Sequence, residues 1–300
     1  MTLFKQKSKG FPYFAVICFV ALFAYAVSLV YPLIWSIIAS LKTNYDYIDN
    51  CVGLPMEGWQ FGNYLTVINN FIASAKDPVT HIKYNVWIDV MLINSLWYAV
   101  GTSLVSTLVS FVVAYVVARF RFKFCSIIYT VIIFQMIIPT VGTMPSELRI
   151  AQGLGVYNTV YGMLFMKSYV TGLYFLSFYG ALRVIPKDYE EAAYLDGAGN
   201  FRVLTNVMFP MATGVFSTIL LLNFITFWND YQTPLIYMPS YPTLAYGVYS
   251  LTVNTSASLG LNYKTVQMAA SMTLVVPILI LFIIFKDKIM GNLTMGGEKE

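Results

Sequence analysis

Residues 186–210 read PKDYEEAAYLDGAGNFRVLTNVMFP and form a charged stretch in the middle of a very hydrophobic chain. The sequence has 300 residues, of which 58% are hydrophobic and only 11% are charged. The stretch nevertheless collects charges of both signs, at Lys187, Asp188, Glu190, Glu191, Asp196 and Arg202. We call residues 186–210 the charged segment; the apolar runs on either side of it decide the fold.

Long runs without any Asp, Glu, Lys or Arg fill most of the remaining sequence. A helix needs about 20 apolar residues to cross a bilayer, and most of these runs are long enough. The runs are residues 10–41, 90–118, 124–146, 203–229, 231–263 and 265–285. The sequence therefore predicts an all-α integral membrane protein.

The sequence predicts six transmembrane helices along the chain, two of which contain a charged residue well inside the helix, Lys167 and Asp230. The bounds are 12–40, 88–118, 124–145, 157–182, 211–236 and 265–285. Pro32, Pro139 and Pro277 fall inside the first, third and sixth helices, where proline bends a helix. The second helix is rich in small residues, which let helices approach closely in lipid. A polar external segment at 41–86 and a turn-rich segment at 237–262 connect the helices.

We divide the chain into three parts on this basis. Residues 1–87 hold the N-terminal tail, the first helix and the external segment. Residues 88–285 form the core transmembrane domain, which includes a cytoplasmic loop at 183–210. Residues 286–300 form a cytoplasmic C-terminal tail.

Basic residues set the expected orientation, because lysine and arginine prefer cytoplasmic loops. With the N-terminus inside, 12 of the 18 lysines and arginines fall on the cytoplasmic side. The net charge of +4 is therefore a signal of membrane topology and does not indicate a nucleic-acid partner. Ala24-Tyr25-Ala26 resembles a signal cleavage site, but the apolar run continues to Leu41, so we expect an uncleaved first helix. Both termini and the charged segment are predicted to face the cytoplasm.

The charged segment itself predicts a helix, a glycine turn and a second helix. Asp188 and Glu191 have the spacing of a capping box, ahead of a helix over Tyr189–Leu195. Gly197 and Gly199 are expected to supply the turn, and Asn200 to cap the next helix. The small side chains of Ala192 and Ala193 predict a flat face suited to docking on another protein. An amphipathic loop lying on lipid headgroups is the alternative, although such helices are usually richer in basic and bulky apolar residues.

Beyond these patterns, the charged segment resembles the EAA loop of binding-protein-dependent ABC importer permeases. The loop has Glu-Ala-Ala, then a glycine, an aliphatic residue, an apolar residue and a proline at fixed spacing. This chain matches with Glu191-Ala192-Ala193, Gly197, Val207, Phe209 and Pro210, and only Phe209 departs from the usual leucine. Other motifs are similar to the carbohydrate branch, and within it to the smaller permease subunit of the maltose type: Asn94-Ser95, Ala114-Tyr115, Ala118-Arg119-Phe120, Leu195-Asp196-Gly197-Ala198, Trp228-Asn229-Asp230 and Gly296-Gly297-Glu298-Lys299.

The resemblance implies a permease subunit with the type I ABC importer fold. Its partners would be a second homologous permease, two ATPase subunits and an extracytoplasmic solute-binding protein, in the bacterial cytoplasmic membrane. The coupling residues would be Glu190, Glu191, Ala192, Ala193, Asp196, Gly197 and Pro210, and the tail contacts Gly296 and Gly297. The sequence has no Gly-x-x-x-x-Gly-Lys-Ser/Thr phosphate-binding pattern. We therefore expect no catalytic residue, metal or cofactor in this chain, with ATP and Mg²⁺ on the partner ATPase.

The substrate implied by the resemblance is a sugar or oligosaccharide, moved by alternating access. Sugars are bound by aromatic faces and polar side chains. The candidates for the substrate path are Lys167, Tyr169, Tyr174, Trp228, Asn229, Asp230 and Tyr231. Lys167 and Asp230 are predicted within apolar helices, where a charge must face a partner or the interior. Lys167 has three readings at this point: it lines the pore, it pairs with Asp230, or it extends to the outer surface.

Three other functions fit the membrane topology. The first is a permease of the same architecture for an amino acid, a peptide or an anion. The second is an ion-coupled secondary transporter, which usually shows internal repeats with broken helices in paired positions; the sequence shows no convincing repeat. The third is a membrane enzyme, which no cluster of histidine, cysteine or carboxylate residues supports.

Overall fold

The computed structural model describes residues 12–78, 80–138, 142–253 and 261–294. The chain divides into two compact units. The first unit comprises residues 1–69 and 256–272, and the second comprises residues 70–255 and 273–300.

The described residues are mostly helical. The helices are α1 Pro12–Ser40, α2 Asn44–Asp49, α3 Gly62–Asn70, α4 Ile88–Arg119, α5 Lys123–Ile137, α6 Met144–Gly153, α7 Val160–Met166, α8 Gly172–Val184, α9 Asp188–Leu195, α10 Asn200–Val203, α11 Phe209–Trp228, α12 Gln232–Tyr237, α13 Leu244–Val253 and α14 Lys264–Thr294. A π-helical turn over Leu204–Met208 joins α10 to α11. Strands β1 Ile72–Lys76 and β2 Lys83–Trp87 pair antiparallel, with Ile72 opposite Trp87.

Four of these helices are long and apolar enough to cross a membrane. They cover Tyr13–Ser40, Ile88–Arg119, Asn200–Trp228 and Lys264–Ile284. The bounds of α1 and α4 confirm the first and second predicted helices almost to the residue. Pro277 lies inside α14 as predicted, although that helix continues past residue 285 to Thr294. The predicted count of six membrane helices is not confirmed.

The third predicted helix is shorter than its uncharged run. Helix α5 ends at Ile137, and Pro139 lies outside the described residues. A separate amphipathic helix, α6, begins at Met144 with Pro145 in its first turn, where proline fits because its missing N–H has no partner to lose.

The fourth predicted helix, 157–182, is in fact broken at residues 167–171. Helix α7 ends with Lys167 as its C-cap, and α8 begins at Gly172. Val170, Thr171 and Gly172 all have low helix propensity. A Cβ atom at Gly172 would lie 2.3 Å from the side chain of Met136 in α5, so α8 begins in close contact with α5 and a larger residue there would displace Met136.

The fifth predicted helix, 211–236, is wrong at both ends. The helical rod begins at Asn200 and ends at Trp228, because the π turn lets the backbone run on through Pro210. Asn229 then terminates the helix, with its side-chain amide donating to the Ile225 carbonyl at 2.8 Å. A short new helix, α12, follows within the segment predicted to be continuous.

The core of the second unit is built around α4, which packs against α8 and α11. Of the small residues predicted in the second helix, Ser95, Ser103, Ser106 and Ser110 are buried and Gly101 is partly buried. Phe111 lies at the centre, in edge-on contact with Phe178 at 5.3 Å and Phe216 at 5.8 Å. Asn223 donates to Thr107 at 2.8 Å in the interior, which satisfies both polar groups without water.

The predicted external segment, 41–86, contains structure that the sequence did not indicate. In the first unit, Asn63 of α3 donates to the carbonyls of Ser40 and Lys42, each at 2.8 Å. In the second unit, the hairpin of β1 and β2 is attached to the predicted turn-rich segment by the Lys76 amide, which donates to Pro239 at 3.1 Å.

Candidate functional site

The charged segment folds into a helix, a glycine turn and a second helix, as the sequence predicts. Helix α9 covers Asp188–Leu195, one residue longer than expected. Gly197 has a positive φ of +80°, a conformation that other residues adopt only with strain. The turn is closed by the Gly197 amide, which donates to Tyr194 at 3.0 Å, and by the Ala198 amide, which donates to Ala193 at 2.9 Å.

Three details of that prediction are wrong. Asp188 is the first residue of α9 rather than its cap, because Lys187 occupies the N-cap position and no side-chain capping bond forms. Gly199 has a φ of −78° in an extended conformation and is itself the N-cap of α10. Asn200 lies inside α10, where its side-chain oxygen accepts a hydrogen bond from the Tyr194 hydroxyl at 3.0 Å.

The surface around α9 combines acidic, small and large apolar side chains. Glu191, Ala192, Asp196, Gly197 and Pro210 are all exposed, whereas Ala193 is partly buried against the core. Large apolar residues are exposed beside them: Val184, Tyr189, Leu195 and Phe201. We call this set of exposed residues the α9 surface. Leu195 is 89% exposed, and large exposed apolar side chains are candidates for an interaction site.

Glu190 differs from the other predicted coupling residues because it points inward. Its side chain is 11% exposed and lies 3.3 Å from Nε of Arg119, the last residue of α4. Glu190 is therefore buried beneath α9 and takes no part in the exposed α9 surface. Gly296 and Gly297, the predicted tail contacts, lie outside the described residues.

A second feature is a cavity of about 420 Å³ in the second unit. It lies among α5, α6, α7 and α12 together with the break between α7 and α8. The lining residues are Gln135, Glu147, Met163, Met166, Lys167, Tyr169, Thr233 and Tyr237. Its wall therefore carries an ammonium, a carboxylate, an amide and hydroxyls beside two methionines and two aromatic rings, a mixture that suits a polar ligand with apolar faces.

A chain of hydrogen bonds holds Lys167 at this cavity. Nζ of Lys167 donates to the Thr233 hydroxyl at 3.2 Å and lies 5.6 Å from the centre of the Phe227 ring. The Thr233 amide donates to Oδ1 of Asp230 at 3.0 Å, and the Tyr98 hydroxyl donates to Oδ2 at 2.7 Å. Lys167 and Asp230 are thus linked through Thr233 instead of forming a direct ion pair.

Both charged residues lie at breaks between helices, which corrects the prediction that they lie within helices. Lys167 caps α7, and Asp230 lies between α11 and α12, where its carboxylate satisfies a free amide at the start of α12. An exposed helix end leaves polar backbone groups that need such partners. The breaks therefore place the two charges where polar groups are concentrated.

The other predicted path residues are distributed differently. Tyr169 lines the cavity and is 49% exposed. Trp228 is only 1% exposed, stacks on Phe224 and donates to the Leu274 carbonyl at 3.0 Å, so its ring leaves no face for a sugar. Tyr174 packs against the core, and Tyr231 stacks on Tyr249 with ring centres 4.3 Å apart. Asn229 is exposed but is used in ending α11.

Several cavity residues were missed from the sequence. Glu147 is the clearest example, because its carboxylate accepts a hydrogen bond from the Tyr237 hydroxyl at 3.1 Å. The sequence did offer one signal for this residue, because Glu147 directly follows the uncharged run 124–146. Gln135 of α5 and Thr233 and Tyr237 of α12 carry no such signal, since each is a polar residue within a short apolar helix.

Comparison with known proteins identifies the class to which this fold belongs. Residues 106–293 match the family described as binding-protein-dependent transport system inner membrane component. That match covers more than half of the chain, and the chain belongs to this family of transport permease subunits. It is therefore a multi-pass inner membrane component of an ABC transporter.

The chain is similar along most of its length to named permeases. It is 27% identical over 290 residues to the diacetylchitobiose uptake system permease protein of Streptomyces coelicolor, covering 94% of this chain and 88% of the relative. It is 25% identical over 281 residues to the trehalose/maltose transport system permease protein of Thermococcus litoralis, covering 91% and 93%. A solved chain from a bacterial ABC transporter involved in the import of the acidic polysaccharide alginate shares the fold, with a TM-score of 0.74, 21% identity, and coverage of 95% and 99%.

Proposed function

We propose that this chain is the permease subunit of an ATP-driven importer that moves a sugar or oligosaccharide into the cell by alternating access. Membership of the permease family carries the proposal, and the sugars named for the similar permeases supply the substrate class. A second homologous permease, two ATPase subunits and an extracytoplasmic solute-binding protein complete the complex. ATP and Mg²⁺ bind to the ATPase subunits.

Six membrane crossings are part of the proposal. Helix α5 has 15 residues, and α7 and α8 together with their break span residues 160–184. Helix α5 and the stretch from α7 to α8 are both mainly apolar. In the chain they lie between the two long helical stretches Ile88–Arg119 and Asn200–Trp228. A broken helix is tolerated at membrane depth where it lines a cavity, and the break at 167–171 does so. With the N-terminus inside, six crossings put both termini and the charged segment in the cytoplasm.

The α9 surface is the proposed contact with an ATPase subunit. Its exposed Leu195 and Tyr189 would insert into a groove of the partner, and Glu191 and Asp196 would pair with basic residues at the rim. Such a pattern, with apolar anchors inside a charged border, is typical of protein interfaces. Gly296 and Gly297 of the C-terminal tail are proposed as further contacts on the same side.

The cavity at Lys167 is the proposed part of the substrate path contributed by this chain. A volume of about 420 Å³ lies within the usual range for ligand pockets, about 300–1,000 Å³. Tyr169 and Tyr237 offer aromatic rings to sugar faces, and Gln135, Glu147 and Lys167 offer hydrogen bonds to hydroxyls. Membrane lipid would cover the exposed apolar side chains of α1 and α14.

Reconstitution of the complete complex tests this proposal. The complex would be placed in proteoliposomes and supplied with a labelled panel of diacetylchitobiose, galactooligosaccharides, trehalose, maltose and alginate oligosaccharides. We expect uptake of at least one panel sugar. This uptake should require both the solute-binding protein and ATP on the side of the membrane that carries the ATPase subunits. Uptake of a panel sugar that an ion gradient drives without ATP, or ATP-driven uptake of amino acids or peptides only, would refute the sugar importer.

A further inference from the structure

A buried ion pair between Arg119 and Glu190 joins α9 to the end of α4. This pair is not part of the exposed α9 surface. Arg119 ends α4, and its side chain is only 5% exposed. Its Nε lies 3.3 Å from Oε1 of Glu190, the third residue of α9. Neither of these two atoms has an aligned hydrogen bond, so their attraction is electrostatic and depends on the two charges remaining in place.

The same guanidinium also holds the end of α8. Nη2 of Arg119 donates to the Leu182 carbonyl at 2.7 Å and to the Ile185 carbonyl at 2.9 Å. The last carbonyls of a helix have no partner within the helix, and a cation at that end is favoured by the helix dipole. Arg119 therefore caps α8 and pairs with α9 through different nitrogens of one rigid planar group, which lysine cannot reproduce.

The backbone next to this junction departs from regular α-helix. Met208, which is fully buried, closes the π turn before α11, and its sulfur lies 4.0 Å from Nη2 of Arg119. Single π turns within helices are frequent at functional positions. The ends of α4 and α8, the body of α9 and the start of α11 thus meet at one arginine.

At its other end, α4 reaches the cavity network. Tyr98 of α4 is fully buried and donates to Asp230, which holds Thr233 against Lys167. The 21 residues from Tyr98 to Arg119 span about 32 Å of helix at about 1.5 Å per residue. One unbroken helix therefore connects the α9 junction with the wall of the cavity.

We propose that Arg119 is a positioning residue that fixes α9 to the ends of α4 and α8, so that movement of α9 is passed through α4 to the cavity. The inference rests on the proposed function, because it assumes that α9 is moved by a partner. It adds that α9 moves together with α4 and α8 as one body. Removing one partner from a buried pair leaves an uncompensated charge. Substitution of either Arg119 or Glu190 therefore loosens α9 and leaves its exposed docking residues unchanged.

The direct test measures the distance between α9 and α4 in the assembled complex. Spin labels would be attached at Asp188→Cys and Leu108→Cys, both at exposed positions, with Cys18, Cys51 and Cys125 replaced by serine. We expect one narrow distance distribution that is the same without nucleotide and with ATP plus vanadate. A shift of that distance on adding ATP would overturn the inference, because α9 would then move independently of α4.

Substitutions at the junction provide the second arm. With Arg119→Met we expect the narrow distribution to broaden, and sugar taken up per ATP hydrolysed to fall about five- to tenfold, the size of a typical coupling between sites. Arg121→Met is the matched control, because Arg121 is exposed two residues further on, and it should behave like the unsubstituted complex. For Arg119→Lys, the sugar uptake per ATP hydrolysed should lie between that of Arg119→Met and that of the unsubstituted complex. One ammonium cannot satisfy both carbonyls and the carboxylate.

The Arg119 and Glu190 variants test the positioning role, and transport by the unsubstituted complex tests the proposed function. Unchanged distance and unchanged uptake per ATP in Arg119→Met, or equal losses of uptake and hydrolysis, would overturn the positioning role. If Arg119→Met does not assemble, Glu190→Gln takes its place, because it keeps the arginine bonds to α8; a normal uptake ratio there would also overturn the role. Failure of the unsubstituted complex to transport any panel sugar would instead refute the proposed function, while the distance measurement would still decide the inference.

Discussion

At the scale of single residues, the charged side chains of this membrane protein are held by specific polar partners. Asp230 accepts hydrogen bonds from Tyr98 and from the Thr233 amide, and Lys167 donates to the Thr233 hydroxyl. A charge in a membrane helix bundle is costly unless it is paired or faces a polar cavity. These contacts explain how two opposite charges persist in an apolar part of the chain without a direct ion pair.

The Tyr98–Asp230 hydrogen bond should contribute measurably to stability. Tyr98→Phe leaves the carboxylate without its 2.7 Å donor, and we expect a loss of about 1–3 kcal/mol in the free energy of unfolding. Thermal unfolding of the purified protein in detergent measures it. Tyr189→Phe, at an exposed position of α9, is the control; equal stability of both variants would show that the bond is unimportant.

Lys167 should determine how the cavity responds to substrate charge. Two of its three ammonium donors are free of the hydrogen bond to Thr233 and can bind a carboxylate. If the panel sugars that the complex takes up include an acidic one, we expect Lys167→Met to weaken its uptake about tenfold, the value of one charged hydrogen bond, and uptake of neutral sugars much less. Lys123→Met, exposed at the start of α5, is the control. Equal effects on acidic and neutral sugars would argue against charge recognition.

At the scale of elements, α9 and the turn after it present the surface that we assign to the ATPase. The turn depends on the positive φ of Gly197, and α9 places Glu191 outward and Glu190 inward. Glu190 and Glu191 are adjacent acidic residues, and the structure buries Glu190 beside Arg119 of α4 while Glu191 stays exposed. The motif predicts Glu191, Asp196 and Gly197, which are exposed, but it predicts neither the large apolar residues of the α9 surface nor the burial of Glu190 beside Arg119.

Changes to the α9 surface and to the turn after α9 should uncouple ATP hydrolysis by the partner ATPase from movement of the membrane helices. Gly197→Leu introduces a side chain at a backbone conformation that costs about 1–2 kcal/mol for residues other than glycine, and Glu191→Lys reverses a charge of the α9 surface. We expect both variants to lose most ATP-driven uptake while remaining in the membrane in normal amounts. Comparable uptake by both variants and by the unsubstituted complex in vesicles would contradict the assignment of this surface.

The long helices and their breaks differ in how far the sequence predicts them. Helices α1 and α4 follow directly from uncharged runs, because an apolar environment leaves the backbone no partner except itself. The breaks at 167–171 and 229–231 lie at short polar stretches, Lys167-Ser168 and Asn229-Asp230, inside otherwise apolar sequence. The capping by Asn229 and Asp230 and the hydrogen bond from Lys167 to Thr233 are interactions between residues that the pattern of hydrophobicity does not reveal.

At the scale of the whole molecule, this chain supplies membrane helices, a cavity wall and an exposed surface, but its sequence carries no phosphate-binding loop. The family is one component of a binding-protein-dependent system, so we expect the chain to work only within a complex. The cavity brings together residues from four separate helices and one break, and its composition could not be predicted before the breaks were known.

Purification of the intact complex from its native membrane tests the central claim most directly. The chain would be extracted in a detergent that preserves membrane complexes, and its partners identified by mass spectrometry. We predict co-purification of an ATPase with a phosphate-binding loop and of a second, non-identical permease, with the ATPase lost selectively in Gly197→Leu. A chain that purifies alone, or only with copies of itself, would contradict the account of an importer subunit driven through α9.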